Sequence, residues 1–138
     1  MKINKHMLIF MLILIFFILF YSINKYIVSN EVLQTKELDM FLTVSNYTGF
    51  NVDTDAIYFG TIPPGGSGKR IIVLHNLDMN SEVLIKKEGN FVDWVVLDED
   101  DFFMEANESK NVSIGVEVPA NAEYRNYTGK LNIIFKKV

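Results

Sequence analysis

Residues 111–119 read NVSIGVEVP, and this stretch decides the fold of most of the chain. An extended strand places successive side chains on opposite faces, so alternation of apolar and polar residues indicates a half-buried strand. Here every second residue is apolar, on the face formed by Val112, Ile114, Val116 and Val118. The residues between them are Ser113, Gly115 and Glu117. The pattern predicts a strand with one face in a core and one face in water.

Two other stretches show the same alternation, namely LDMFLTVS at 38–45 and KLNIIFKK at 130–137. Three denser apolar runs are typical of strands in the middle of a sheet. They are KRIIVLHN at 69–76, EVLIKK at 82–87 and FVDWVVLD at 91–98. In the last of these, Trp94 is the largest candidate for the core.

Gly, Pro, Asn and Asp residues separate these strands at the spacing of an all-β protein, as in PPGGSG at 63–68. No segment after residue 37 has helical spacing over ten or more residues. About 100 residues suit one immunoglobulin-like sandwich. We therefore predict an all-β, immunoglobulin-like sandwich of about seven strands over residues 38–138.

The chain begins very differently, because residues 7–23 read MLIFMLILIFFILFYSI and carry no charge. With Tyr26, Ile27 and Val28 the apolar segment reaches the length that crosses a bilayer, so we predict one transmembrane helix over residues 7–28. Lys2 and Lys5 precede it. The positive-inside rule therefore predicts a cytoplasmic tail at 1–6 and a single-pass cell-membrane protein whose C-terminal domain is extracytoplasmic.

The alternative for this segment is a cleaved signal peptide, which also has a basic start and an apolar run. No small-x-small cleavage motif follows Phe20, where the sequence reads YSINKYIVSNEV. This favours an uncleaved signal anchor. Residues 29–37 are predicted to be a stalk, either a continuation of the helix or its frayed end, because they contain no Gly or Pro.

Charge is divided between the two parts of the chain. Residues 1–36 carry four lysines against one glutamate, a net charge of +3, and residues 37–138 carry nine basic against sixteen acidic residues, a net charge of −7. An acidic domain without a basic cluster argues against nucleic acid and against anionic lipid as its partner. The chain has no cysteine, which excludes disulfides and thiolate metal sites.

The stretch AIYFGTIPPGGSGKRIIVLHN and the later FFMEANESKNVSIGVEVPANAEYRNYTGKLNIIF together resemble the immunoglobulin-like domains of the ASH/MSP-like kind and their archaeal surface relatives. The resemblance covers most of residues 52–136. The residues that carry it are Phe59-Gly60, Pro64-Gly65, Asn76, Val118-Pro119 and Tyr127-Thr128-Gly129. It implies a sandwich fold and a role as adaptor, spacer or adhesive module.

Four Asn-x-Ser/Thr sequons favour an exported glycoprotein. They begin at Asn46, Asn107, Asn111 and Asn126. Three of these residues, Asn46, Asn107 and Asn126, fall in predicted turns. Asn111 precedes the inward-facing Val112 in a predicted strand, so its side chain is expected to face outward. An Asn-rich sequence with Ser and Thr in its turns is the alternative, and Asn107 and Asn111 lie too close together for both to be filled.

Other candidate sites are weaker. Asp98-Glu99-Asp100-Asp101 is a carboxylate cluster without the spacing of a calcium loop. His75 has no cysteine or second histidine near it, so no catalytic, metal or cofactor site is predicted and the chain is not expected to be an enzyme. Five aromatic residues have two interpretations, an exposed patch for sugar or protein contact or, as is more common at strand positions, part of the core. They are Tyr47, Phe50, Tyr58, Tyr124 and Tyr127.

These features predict a non-catalytic, membrane-anchored surface module for protein–protein contact or assembly in the cell envelope. The membrane, through residues 7–28, and an envelope or surface protein are its expected partners, and the oligomeric state is left open. Archaeal archaellum stator components have a similar architecture, a single N-terminal helix and a cysteine-free β-sandwich. The alternative function is a Ca²⁺- or carbohydrate-binding surface domain that uses the Asp98–Asp101 turn or the tyrosines.

Overall fold

The computed structural model describes residues 5–29, 31–49 and 55–138, with the α1 side chains described at residues 5 and 7–23. One helix, α1 (Lys5–Ser29), comes first. Eight strands follow: β1 (Val32–Val44), β2 (Ile57–Ile62), β3 (Ser67–His75), β4 (Ser81–Gly89), β5 (Val95–Leu97), β6 (Asp101–Met104), β7 (Ser109–Glu117) and β8 (Asn126–Lys137). A short 3₁₀ helix, Val92–Trp94, lies between β4 and β5.

The strands form two sheets. The five-stranded sheet has the order β2-β1-β8-β4-β6, and the three-stranded sheet has the order β3-β7-β5. All pairs are antiparallel except β1 with β2, which are parallel. β1 pairs with β8 along most of its length, from Val32 opposite Lys136 to Thr43 opposite Asn126.

One hydrophobic core joins the two sheets. Met40 of β1 and Leu131 and Ile133 of β8 are fully buried on the side of the larger sheet. Ile114 and Val116 of β7 are fully buried on the side of the smaller sheet, and all of these residues belong to one cluster. Because each sheet covers the apolar face of the other, the all-β prediction is confirmed and the arrangement is compatible with a β-sandwich.

The alternation read from the sequence is confirmed in β7 and β8. Val112, Ile114, Val116 and Val118 are at most 4% exposed, whereas Glu117 and Asn111 are exposed. In β8, Leu131, Ile133 and Phe135 are buried, as expected. The period of two therefore correctly identified which face of each strand meets the core.

The predicted stalk at 29–37 is wrong for residues 32–37, because β1 begins at Val32 and not at Leu38. Its first residues pair with the last residues of β8, as Glu37 does with Asn132. This pairing joins residues nearly one hundred positions apart in the chain, and it outweighs the weak helical spacing of the segment.

Two of the dense apolar runs also differ from expectation. KRIIVLHN forms β3, an edge strand of the smaller sheet rather than a central one, with Ile71 64% and Val73 49% exposed. FVDWVVLD is divided into the 3₁₀ helix and the short strand β5. Trp94 is only partly buried, and Phe91 is the largest fully buried side chain.

Candidate functional site

α1 exposes apolar side chains on all of its sides. Every large apolar side chain from Met7 to Ile23 is exposed, between 47% for Ile15 and 72% for Tyr21. The Ser22 hydroxyl donates a 2.9 Å hydrogen bond to the Ile18 carbonyl, so this polar group is satisfied within the helix. Apolar surface of this extent marks contact with lipid or with another protein. Over the part of the chain that the structure describes, no helix combines the length and hydropathy that a membrane crossing requires.

The helix joins the β domain at one end, which we call the base. The strand pairings place at this end the first residues of β1, β4 and β7 and the last residues of β3, β6 and β8. α1 ends at Ser29 and β1 begins at Val32, so the helix leaves the domain at the base. The Lys137 amide donates a 2.9 Å hydrogen bond to the Glu31 carbonyl, which extends the β1–β8 ladder to this junction. The opposite end, the top, holds loops 45–49, 63–66 and 118–125.

Asn76 organises the base. Its buried side-chain amide donates to the carbonyls of Met79, Met104 and Glu105 at 2.9, 3.1 and 2.7 Å. Its side-chain oxygen accepts a 2.7 Å hydrogen bond from the Ser81 hydroxyl. One side chain therefore fastens loop 76–80, which joins β3 to β4, to the end of β6.

Loop 76–80 makes further backbone contacts with the turn 105–108. Leu77 accepts a 2.7 Å hydrogen bond from the Asn107 amide, and the Asn80 side chain accepts one from the Ala106 amide at 3.0 Å. The Asn76 amide donates to the Glu108 carbonyl at 2.8 Å. These three bonds fasten the two segments to each other, and the Leu77 and Met79 side chains remain exposed.

The base also gathers exposed apolar side chains. Ten large apolar residues of the described β domain are exposed, and five of them lie at the base. Three others lie on the outer face of the smaller sheet and two at the top, so the base has the largest share. The five at the base are Val32, Leu77, Met79, Phe103 and Val138.

The sequon residues occupy four different settings. Asn46, Tyr47 and Thr48 are all exposed and lie in a loop at the top, outside the strands. Asn126 is the first residue of β8, not a turn residue, and its side chain accepts a 2.9 Å hydrogen bond from the Thr43 hydroxyl. Of these two, Asn46 has the more accessible sequon.

The other two sequons lie closer to α1. Asn107 is in a turn at the base with φ of 61°, and the Ser109 hydroxyl of its sequon lies 2.7 Å from His75 Nδ1. Asn111 is exposed on the outer face of β7, as predicted, and the central Val112 of its sequon is buried.

The residues that carry the family resemblance have structural roles in this chain. Gly60 has a φ of 82° and lies where the β1–β2 register shifts, and Gly65 has a φ of 79° in the turn before β3. Tyr127 is buried, packs 4.7 Å from the Trp94 ring and donates a 3.1 Å hydrogen bond to the Glu123 carbonyl. These residues shape turns and core, and they do not converge on one surface.

The acidic cluster is a structural turn before β6. Asp98 accepts hydrogen bonds from the amides of Glu99 and Ser113, both at 3.0 Å. Glu99 forms an ion pair with Lys110. These contacts fasten the β5–β6 connection to β7. Among the described residues, the structure shows no group of three or more His, Cys, Asp or Glu side chains arranged to hold a metal ion.

The predicted aromatic patch does not form as a set. Tyr127 is 2% exposed and belongs to the core, and the Tyr58 ring stacks on Phe41 at 5.0 Å. Tyr47 and Tyr124 are exposed at the top. Phe50 lies outside the described residues. For Tyr127 the alternative applies, that aromatic residues at strand positions most often fill the core.

Two cations on the surface have shifted pKa values. Glu37 raises the pKa of Lys130, first by a hydrogen bond and then by its charge, and the two side chains lie opposite each other on β1 and β8. Tyr127 raises the pKa of Arg125, whose guanidinium lies 4.6 Å from the tyrosine ring. Both groups are exposed, so solvent and salt screen these interactions.

A cleft of about 330 Å³ separates the edges of the two sheets. Leu38 of β1, Ile57 and Tyr58 of β2 and Ile72 of β3 line it. Arg70 Nε donates a 2.5 Å hydrogen bond to the Tyr58 carbonyl across the cleft. The arginine therefore links β3 to β2 where the two edge strands face each other.

The base is not predicted by the sequence. Leu77 and Met79 lie in a segment, NLDMN at 76–80, whose composition predicts only a turn. Two apolar residues within a turn rich in Asn and Asp were the available signal. Asn76 was noticed only as the end of a strand, because its buried contacts join segments far apart in sequence.

Comparison of the chain with protein-family models, curated proteins and solved structures finds no match. The observations therefore define the protein as an all-β domain of two sheets, preceded by an apolar helix that leaves the domain at the base.

Proposed function

We propose that the chain is a single-pass membrane protein in which α1 is the anchor and the β domain is a non-catalytic module for protein contact in the cell envelope. The observation that carries this proposal is the exposure of every large apolar side chain from Met7 to Ile23, around the whole circumference of the helix. A helix of a water-soluble protein covers its apolar side with its own core. α1 requires an apolar environment supplied from outside the chain.

Helix length sets a condition on this proposal. Residues 7–23 span about 26 Å of helix, which is short of a hydrocarbon core of about 30 Å. The α1 backbone continues to Ser29, and the sequence between includes Tyr26, Ile27 and Val28. The proposed anchor therefore extends over residues 7–28, with the lysines at 2 and 5 favouring a cytoplasmic N-terminus.

The finer fold that we propose is immunoglobulin-like. If β3, β4, β5, β7 and β8 receive the letters B, C, D, E and F, the sheets have the orders B-E-D and C-F of an immunoglobulin sandwich. β1 then takes the place beside F that belongs to strand G. The five lettered strands therefore follow the immunoglobulin order, whereas β1 beside β8 and β6 beside β4 depart from it.

Protein contact is supported by the outer face of the smaller sheet. β3 is nine residues long and lies at an edge of this sheet, where it faces β2 across the cleft. Ile71 and Val73 on β3 and Val96 on β5 are half to two-thirds exposed on the outer face of the same sheet. Unpaired edges and apolar outer faces are surfaces on which another chain docks. A role like that of an archaellum stator component is one form of this proposal.

The anchor is tested with the full-length chain in membranes. Because the chain has no cysteine, Asn4→Cys and Tyr124→Cys each provide one labelling site. We expect the protein to resist alkaline carbonate extraction, and an impermeant maleimide added outside intact cells to label position 124 and not position 4. The matched control Ile13→Lys with Phe16→Lys should be extracted. Complete extraction of the wild-type chain would overturn the anchor.

The contact role is tested by crosslinking in the native membrane. A photo-crosslinking residue in place of Val73 should yield one discrete adduct with an envelope protein. The same residue in place of Lys86, which is exposed on the outer face of the larger sheet and lies away from the base, serves as the matched control. Equal adduct patterns from both positions, or none from position 73, would contradict a role for the β3 surface.

Glycosylation of the exported domain is a further part of the proposal. Asn46 has the only one of the four sequons in which the structure shows all three residues exposed and outside a strand. We expect Asn46→Gln to remove a glycan mass from protein purified from its native membrane. Asn107→Gln is the control, because Asn107 lies in a turn held by Leu77 and His75. A glycan on Asn107 and none on Asn46 would contradict this ranking.

A further inference from the structure

We propose that the base of the β domain rests on the lipid surface, with Leu77 and Met79 inserted among the headgroups. This inference rests on the proposed anchor and adds a second membrane contact that fixes how the domain stands. Its partner is the bilayer itself. The first argument is the length of the connection between helix and domain.

Only residues 30 and 31 separate the end of α1 from the start of β1. The Cα atoms of Ser29 and Val32 are therefore at most about 11 Å apart. If the apolar segment ends near residue 28, the base begins within or just above the headgroup layer, which adds about 5–7 Å on each side of the hydrocarbon. The two-residue connection is therefore too short to hold the domain away from the membrane surface.

The second argument is the surface that the base presents. Val32 and Phe103 lie on the outer face of the larger sheet in one row, with Glu82 and Lys136 between them. Leu77 and Met79, 37% and 39% exposed, project from loop 76–80 next to this row. The top has Tyr47 and Tyr124 as its exposed apolar residues, so the apolar bias is towards the helix side.

The third argument is that hydrogen bonds hold loop 76–80 in its shape. Backbone groups without partners are costly in a membrane environment. The carbonyls of the two inserting residues have partners, because the Leu77 carbonyl accepts from the Asn107 amide and the Met79 carbonyl accepts from the Asn76 side chain. These bonds fix a loop in which the Leu77 and Met79 side chains are exposed.

The charged residues of the base indicate which kind of lipid it contacts. Asp78, Glu105 and Glu108 belong to the base loops, and Glu31 is paired with Lys137 at 3.7 Å. Acidic groups at a membrane surface are repelled by anionic lipid. The contact is therefore apolar in nature and suits an uncharged or zwitterionic surface.

The test uses the full chain in phosphatidylcholine vesicles with a single environment-sensitive fluorophore. Asp78→Cys labels the base and Tyr124→Cys labels the top. Lipids with a quencher near the headgroup should reduce fluorescence at 78 and leave it unchanged at 124. Equal quenching at both positions, in vesicles that carry the protein after flotation, would overturn the inference. If the protein does not float with the vesicles, the anchor itself has failed, which separates the two results.

A second comparison identifies the side chains responsible. Leu77→Ser with Met79→Ser should weaken the quenching at 78, because the short connection still holds the base near the headgroups but the two side chains no longer insert, and the protein should still float with the vesicles. Ile71→Ser with Val73→Ser removes two exposed apolar residues from the outer face of β3 and should leave the quenching at 78 unchanged. An equal decrease in both pairs, or no decrease in either, would show that Leu77 and Met79 do not make the contact. Replacing part of the phosphatidylcholine by anionic lipid should weaken the quenching.

Discussion

The Ser81 hydroxyl donates a 2.7 Å hydrogen bond to the side-chain oxygen of Asn76, and these are the two buried polar side chains among the described residues. Asn76 directly follows β3, and Ser81 is the first residue of β4. Because the same asparagine also donates to three carbonyls, three carbonyls and one hydroxyl depend on one side chain.

Asn76→Ala should destabilise the domain by about 2–4 kcal/mol, because a buried group left without its hydrogen bond costs about 1–3 kcal/mol. Denaturant unfolding of the full chain in detergent, followed by Trp94 fluorescence, measures the loss. Asn121→Ala, an exposed residue in the top loop, is the matched control and should change the stability little. Equal stability of the two variants would show that the Asn76 contacts add nothing.

Gly89→Ala should cost at least about 3 kcal/mol, since strain and overpacking act together. A Cβ atom at position 89 would lie 2.4 Å from the Gly129 Cα atom, and the residue has a φ of 127°. Gly65 also has a positive φ, 79°, but a Cβ atom there meets nothing closer than 4.0 Å. Gly65→Ala should therefore cost about 1 kcal/mol, the penalty of the left-handed conformation alone. Thermal unfolding of the two variants measures the difference, and an equal decrease in both midpoints would contradict the larger cost at Gly89.

Ile114→Ala and Ile71→Ala compare two isoleucines of the smaller sheet. Ile114 is fully buried and Ile71 is 64% exposed. We expect a loss of about 2–5 kcal/mol for Ile114→Ala, through lost burial and a cavity, and a change within about 0.5 kcal/mol for Ile71→Ala. Denaturant unfolding of the full chain in detergent, followed by Trp94 fluorescence, measures the loss of stability in each variant. A large loss at Ile71 would mean that its side chain is covered in the folded protein.

Lys130 makes the stability depend on pH at the alkaline end. Glu37 raises the pKa of Lys130 above its ordinary value of 10.5 in the folded protein. The contribution of the pair is therefore complete below 10.5 and is lost as the pH rises through the folded pKa. The unfolding midpoint should fall over this range slightly more in the wild type than in Lys130→Met. High salt should remove the difference, because both groups are exposed. A difference that persists in high salt would contradict this account.

Local sequence patterns predicted which face of each strand is buried, but not which strands lie next to each other in a sheet. Alternation in NVSIGVEVP placed Ile114 in the core correctly, because the period of two follows from the backbone itself. It could not place β3 at an edge, since an apolar run such as KRIIVLHN has the same composition in either position. Ile71 and Val73 face outward because no described element covers them.

The start of the domain was misjudged for a related reason. Residues 32–37 have no strong local preference, and their strand conformation comes from pairing with residues 132–136 of β8. Asn76 and Leu77 show the same limitation at the base, where contacts between loops 76–80 and 105–108 create the surface. Such non-local contacts leave little trace in one sequence.

The position of β1 has a mechanical consequence. A pull on α1 enters the domain at Val32 and acts along β1, which pairs with β8 from Val32 to Thr43 and with β2 from Met40 to Val44. If the opposing load is applied at the top, the hydrogen bonds between β1 and its two neighbouring strands are loaded in shear and must break together. A domain tethered through an inner strand in this way resists tension far better than one tethered through a strand that peels away from an edge.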